Sequence, residues 1–137
     1  MKLTKWLGLG LLIIFLMLSF GFAQTQADEL RPKRTVLQKS DVGSTGREVT
    51  LQIVEFPAGA AEVPHTHPGE LVGYLLEGSL DLMVEGKPMA SLKEGDGFIV
   101  EGGKVHAAKN TAKGSSKLLA TVILEKGSLL QPPLNKT

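Results

Sequence analysis

The residues with chemistry to offer are few. His65 and His67 stand in an H-x-H arrangement, Glu70 follows them, and His106 lies about forty residues further on. In an extended segment alternate side chains share a face, so the two imidazoles of His65-Thr66-His67 point the same way. Two imidazoles converging on one point form half of a metal site, and His106 completes it if the fold makes the two segments neighbours. Three neutral imidazoles suit a divalent transition metal such as Fe, Mn, Zn, Ni or Cu. Three protein ligands also leave positions open for water or substrate, the pattern of a reactive centre rather than a closed structural one. The chain contains no cysteine, so thiolate ligands and disulfides are both excluded. Glu70 is the carboxylate next to the pair and the candidate fourth ligand. No nucleophile elbow or phosphate loop accompanies these residues, and Glu70 is the one evident general acid or base. An isolated H-x-H is as readily a packed or surface pair, so the metal reading rests on His106 and on the glycines around all three.

Those side chains need a β framework. Val49-Thr50-Leu51-Gln52-Ile53-Val54 alternates, with Val49, Leu51 and Ile53 on one face of a half-buried strand. Leu71 to Leu76 is a short apolar run, and Leu80, Leu82 and Val84 share a face of the strand after it. Pro88 to Leu92, Phe98 to Val100, Val105 to Ala107 and Lys117 to Glu125 supply further β segments. Glycine turns separate them every eight to twelve residues, the rhythm of an all-β sandwich or barrel. No apolar stripe of helical period, solenoid repeat or low-complexity tract interrupts the pattern.

The ends read differently. Lys2 and Lys5 precede an almost unbroken apolar run from Trp6 to Phe22, and Gly21-Phe22-Ala23 offers small residues to a signal peptidase. Residues 1–23 are therefore expected to be a cleaved signal peptide, giving a periplasmic or secreted protein that meets the membrane only through that leader. Residues 24–40 form a polar N-terminal arm, flexible or packed at an edge, residues 41–128 the β domain, and residues 129–137 a tail carrying Pro132-Pro133. The formal charge of the 137-residue chain is +1, and the leader's two lysines contribute to it. What remains is close to neutral without a basic cluster, which argues against nucleic acid as a partner. With seven aromatic residues in the whole chain, the core must be built from Leu, Val, Ile and Ala.

Two spacings tie these features together. Gly59 precedes His65 by five intervening residues, and Gly78 closes that segment; Gly95, Gly103, His106 and Asn110 then follow at fixed intervals. Together they resemble the two motifs of the cupin superfamily, G-x5-H-x-H-x3,4-E-x6-G and G-x5-P-x-G-x2-H-x3-N. The resemblance spans Gly59 to Asn110 and implies a jelly-roll barrel, the double-stranded β-helix, with metal held inside it by His65, His67 and His106. Two positions depart from the family pattern. The motif's glutamate falls at Leu71, and Glu70 stands one residue early, which in a regular strand turns its side chain to the opposite face. Glu70 joins the site only if Pro68-Gly69 makes a loop or bulge. Glu101 replaces the motif's proline and reads as a solvent-facing turn residue. Tyr74 is a polar group near the site, though its ring suits barrel packing with the hydroxyl at the edge. Asn110 suits a local capping role.

The family includes dioxygenases, isomerases, decarboxylases and non-catalytic binders, and the fold does not select among them. The expectation is a small exported cupin that binds metal and a small-molecule ligand or substrate, acting on it in a dioxygenase- or isomerase-like way. A binding or sensing module without turnover, and a metal-free structural domain, are the alternatives. The family also pairs as homodimers, for which the edge segment Thr35 to Gln38 is available.

Overall fold

The computed structural model describes residues 30–128, so the expected signal peptide, the start of the arm and the C-terminal tail lie outside the described residues. Eight strands make up the described part: β1 (Lys33–Asp41), β2 (Arg47–Phe56), β3 (Glu70–Glu77), β4 (Ser79–Val84), β5 (Ala90–Lys93), β6 (Gly97–Val100), β7 (His106–Asn110) and β8 (Ser116–Glu125). They pair antiparallel in two sheets, one ordered β1-β2-β8-β3-β6 and the other β5-β4-β7. This is the expected all-β jelly roll. Every described residue with positive φ is a glycine lying outside the strands, which is why the turns fall where glycine does.

Strand register decides which side chains meet between the sheets. Leu80, Leu82 and Val84 point inward from β4, as their alternation requires, and share one core cluster with Leu118 and Ala120 of β8. Phe56, Leu75, Leu80, Val100 and Val122 are the largest apolar side chains sealed from solvent. Each contributes about 1.5–3 kcal/mol by burial. On β2 the buried row is the reverse of the expected one. Glu48, Thr50, Gln52, Val54 and Phe56 turn inward, while Val49, Leu51 and Ile53 lie half-buried on the outer face. The reason is the cavity: its lining takes in Gln52 and Val54 from this row, so the more apolar row is not the inner one.

The N-terminal arm is edge-packed from Lys33 onward. Strand β1 pairs with β2 along its length, with a register shift between Val36 and Gln38, so the sheet begins before the boundary placed at residue 41. On the outer face, Val72 of β3 lies opposite Ile99 of β6, and both are exposed alongside Tyr74. Among the described residues no helix is long and apolar enough to cross a membrane.

Candidate metal centre

The segment between β2 and β3 carries His65 and His67 without being a regular strand. Two isolated bridges, Ala61 with Lys109 and His65 with His106, lay it antiparallel along β7. Pro64 and Pro68 cannot donate to a ladder, so pairing stays local. His106 opens β7 directly opposite His65. The three rings converge: centroids lie 4.4 Å apart for His65–His106, 4.7 Å for His67–His106 and 6.3 Å for His65–His67.

Each ring is oriented by the backbone in the same way. The Nδ1 of His65 bonds the Val63 carbonyl at 2.9 Å, that of His67 the Gly69 carbonyl at 2.6 Å, and that of His106 the Lys104 carbonyl at 3.0 Å. A carbonyl accepts only, so Nδ1 carries the proton, and in the neutral ring the lone pair is left on Nε2. For His67 and His106 that Nε2 is buried and has no hydrogen-bond partner. Burial pushes both rings below the ordinary imidazole pKa, helped for His67 by His106 and His65 and for His106 by His65. The backbone bonds to Gly69 and Lys104, and for His106 the Glu62 charge, act in the opposite sense without reversing it. Near neutral pH the two rings are therefore neutral, with unused lone pairs.

A buried acceptor without a partner costs about 1–3 kcal/mol. Backbone-fixed Nδ1–H and an open Nε2 are what metal-ligating histidines display. By these criteria the donor set fits a transition metal. Among the described residues, however, no group of three or more His, Cys, Asp or Glu side chains is placed to hold a metal ion as it stands. The wider His65–His67 separation of 6.3 Å accords with this.

Above the rings lies a cavity of about 480 Å³, counting its open mouth. Val54, Leu71, Leu82, Phe98 and Leu118 form much of its wall, Gln52 lines it, and Arg34 and Glu62 join the histidines as its ionisable residues. Leu71 thus stands where the family motif has its carboxylate.

Glu70 is not brought to the rings. It shares the outer face of β3 with Val72 and Tyr74, its carboxylate pairs with Arg47, and its side chain is 49% exposed. Its own backbone N–H and the Arg47 guanidinium hold that carboxyl below the usual range. Tyr74 lies on the same outer face, and Glu101 is an exposed turn residue paired with Lys87 at 2.9 Å. Asn110 is buried at 2% exposure. Its Nδ2 lies 2.8–2.9 Å from the carbonyls of Phe56, Pro57 and Gly114, and its Oδ1 accepts from Ala112 N–H and Ser116 Oγ.

Arg34, Gln52 and Glu62 were not among the residues singled out from sequence. For Gln52 the signal was its place in an alternating strand, once the inner row is known. Arg34 and Glu62 pair across 28 residues, and no local pattern announces that contact.

A cupin-domain family model matches residues 52–122, just over half of the chain. A comparison with curated proteins returned no match. Among solved structures, the cupin domain of Cnp3 from Schizosaccharomyces pombe superposes with a TM-score of 0.59 at 23% identity, over 69% of this chain and 64% of that domain. A conserved double-stranded β-helix protein from Klebsiella pneumoniae gives 0.58 at 19% identity, over 75% of this chain and 90% of that one. DMSP lyase DddQ from Ruegeria pomeroyi gives 0.57 at 24% identity, over 78% of this chain and 50% of that one. At these identities the likeness is one of fold.

Proposed function

The chain belongs to the cupin family, and from that membership we propose that it binds a divalent transition metal through Nε2 of His65, His67 and His106 and holds a small molecule in the cavity above them. The observation that carries this reading is the shared orientation of the rings. All three direct Nδ1 to a backbone carbonyl, and the buried Nε2 atoms of His67 and His106 have no hydrogen-bond partner. A metal bound there would supply Lewis acidity at its open positions, or dioxygen binding if it is redox-active. The apolar wall formed by Val54, Leu82, Phe98 and Leu118 suits a carbon skeleton and excludes water from around it. Gln52 offers a hydrogen-bonding amide in the same space. DMSP lyase, named for turnover of a small organic substrate, is similar in fold, which supports a small organic ligand here. The leader in residues 1–23 adds export, so that metal and ligand are met in the periplasm or outside the cell.

Elemental analysis of the purified mature protein tests the metal. Close to one transition-metal ion per chain is expected, and none in the His65→Ala, His67→Ala, His106→Ala triple variant. Equal content in the two proteins sinks the reading. Incubating the metal-loaded protein with candidate small organic molecules then separates turnover, seen as depletion, from binding alone, seen as thermal stabilisation without depletion.

A further inference from the structure

Three neutral imidazoles around a divalent cation leave its charge uncompensated in a largely apolar cavity, an arrangement that is costly to bury. A carboxylate would offset half of that charge. The family motif supplies one from position 71, which here is Leu71, and Glu70 faces outward onto Arg47. One carboxylate does line the cavity among the described residues: Glu62, its side chain only 13% exposed. Its placement follows from the bridged segment. Ala61 pairs with Lys109, and Glu62 N–H donates to the Ala108 carbonyl at 2.9 Å, setting Glu62 beside the strand that His106 opens. Its charge is felt at the His106 ring. Arg34, from edge strand β1, pairs with it, and the arginine side chain is 29% exposed at the cavity mouth.

We infer that Glu62 is the carboxylate arm of the histidine centre, entering from the segment before the histidines rather than after them, and that Arg34 holds it when no cation is present. This rests on the metal reading proposed above. Both ends of the exchange are accounted for. The carboxylate trades a guanidinium for a metal ion, and Arg34, partly exposed already, turns to solvent and away from the cation. Arg34 then becomes available to an anionic group on a molecule entering the mouth.

Titration of metal-stripped mature protein with Co(II), followed by calorimetry and visible absorption, tests the assignment. Glu62→Gln should weaken Co(II) binding by roughly 10–100-fold, the range seen even when a group that only supports a ligand is lost, and should alter the Co(II) absorption spectrum. Glu70→Gln should match the wild type in both. Arg34→Gln, which frees the carboxylate, should bind Co(II) more tightly, and this variant carries the test if Glu62→Gln does not fold. Wild-type affinity and spectrum in Glu62→Gln, the same loss in Glu70→Gln, or unchanged affinity in Arg34→Gln would each overturn the inference. The two readings fail differently. A wild type that takes up no Co(II) removes the metal centre altogether, whereas binding abolished by the triple histidine variant but untouched by Glu62→Gln removes only the role of Glu62.

Discussion

His65 and His106 hold each other by their backbones: His65 N–H donates to the His106 carbonyl at 3.0 Å, and His106 N–H donates to the His65 carbonyl at 2.9 Å. The reciprocal pair brings two rings from distant segments within 4.4 Å, centroid to centroid. It is the joint between the two halves of the centre. Local opening of this bridge must separate the rings, so the two amides should exchange with solvent as one unit. Hydrogen exchange measured by NMR should give His65 and His106 similar protection, well above that of exposed Val63. Fast exchange at His65 beside slow exchange at His106 would show that the bridge does not persist in solution.

Asn110 is a heavily bonded side chain in the interior. Its two N–H hydrogens can serve two of the three carbonyls around Nδ2 at a time, and its Oδ1 takes two donors. It thereby ties the loop after β2 to the turn between β7 and β8. Ser116, whose Oγ accepts from Ser79 N–H at 3.0 Å, extends the tie to the start of β4. Asn110→Ala leaves several buried groups without partners and should destabilise the fold by about 3 kcal/mol, each orphaned group costing about 1–3. Urea denaturation measures this as a lower midpoint with an unchanged slope. Metal affinity should change little in whatever fraction stays folded, because Asn110 touches none of the rings.

Much of this arrangement was legible in the sequence, for reasons that differ by residue. Motif spacing located His65, His67 and His106, because glycine turns fix where short strands begin. Period-two alternation paired Leu80, Leu82 and Val84 on one face, which is the inner one, whereas Glu70, kept as a candidate ligand by way of a Pro68-Gly69 bulge, follows the regular strand register outward. Alternation failed on β2 because it shows that a strand has two faces without saying which one lines a cavity. Hydropathy favoured Val49, Leu51 and Ile53, while the interior there takes Gln52 and Val54. The Arg34–Glu62 pair was out of reach. It depends on β1 reaching the cavity mouth, which tertiary packing decides and local pattern does not.

Gly69 sits where a side chain has no room. A Cβ there would lie 1.8 Å from the Ile123 carbonyl oxygen, a backbone atom that cannot swing aside. Its own carbonyl orients His67. Gly69→Ala must therefore push β3 away from β8 and disturb His67 together. A loss of about 2–4 kcal/mol is expected, at the upper end for single substitutions, along with weakened metal uptake. Gly103→Ala is the comparison. It has positive φ and open space around it, so it meets backbone strain alone, at about 1 kcal/mol. Equal thermal shifts in the two variants would show that the approach to Ile123 does not matter.

The buried histidines also set how the metal-free fold responds to acid. His67 and His106 titrate below the ordinary value of 6.5 in the folded protein, chiefly because burial disfavours the charged ring. The unfolded chain keeps the ordinary value, so below about pH 6.5 it takes up protons that the folded protein refuses. Stability is thus at its full value above pH 6.5. It declines as the pH falls toward the lowered pKa values and levels off once both rings are protonated in either state. Carboxylates such as that of Glu70, held below 4.5 by its own N–H and Arg47, titrate later and leave the window between about pH 6.5 and 5 to the imidazoles. Urea midpoints of the metal-free protein should fall across that window. The His67→Gln, His106→Gln double variant should flatten the fall while retaining His65. A wild-type midpoint that does not move there, or a slope that survives the double substitution, would mean that these two rings are not the buried neutral pair the structure presents.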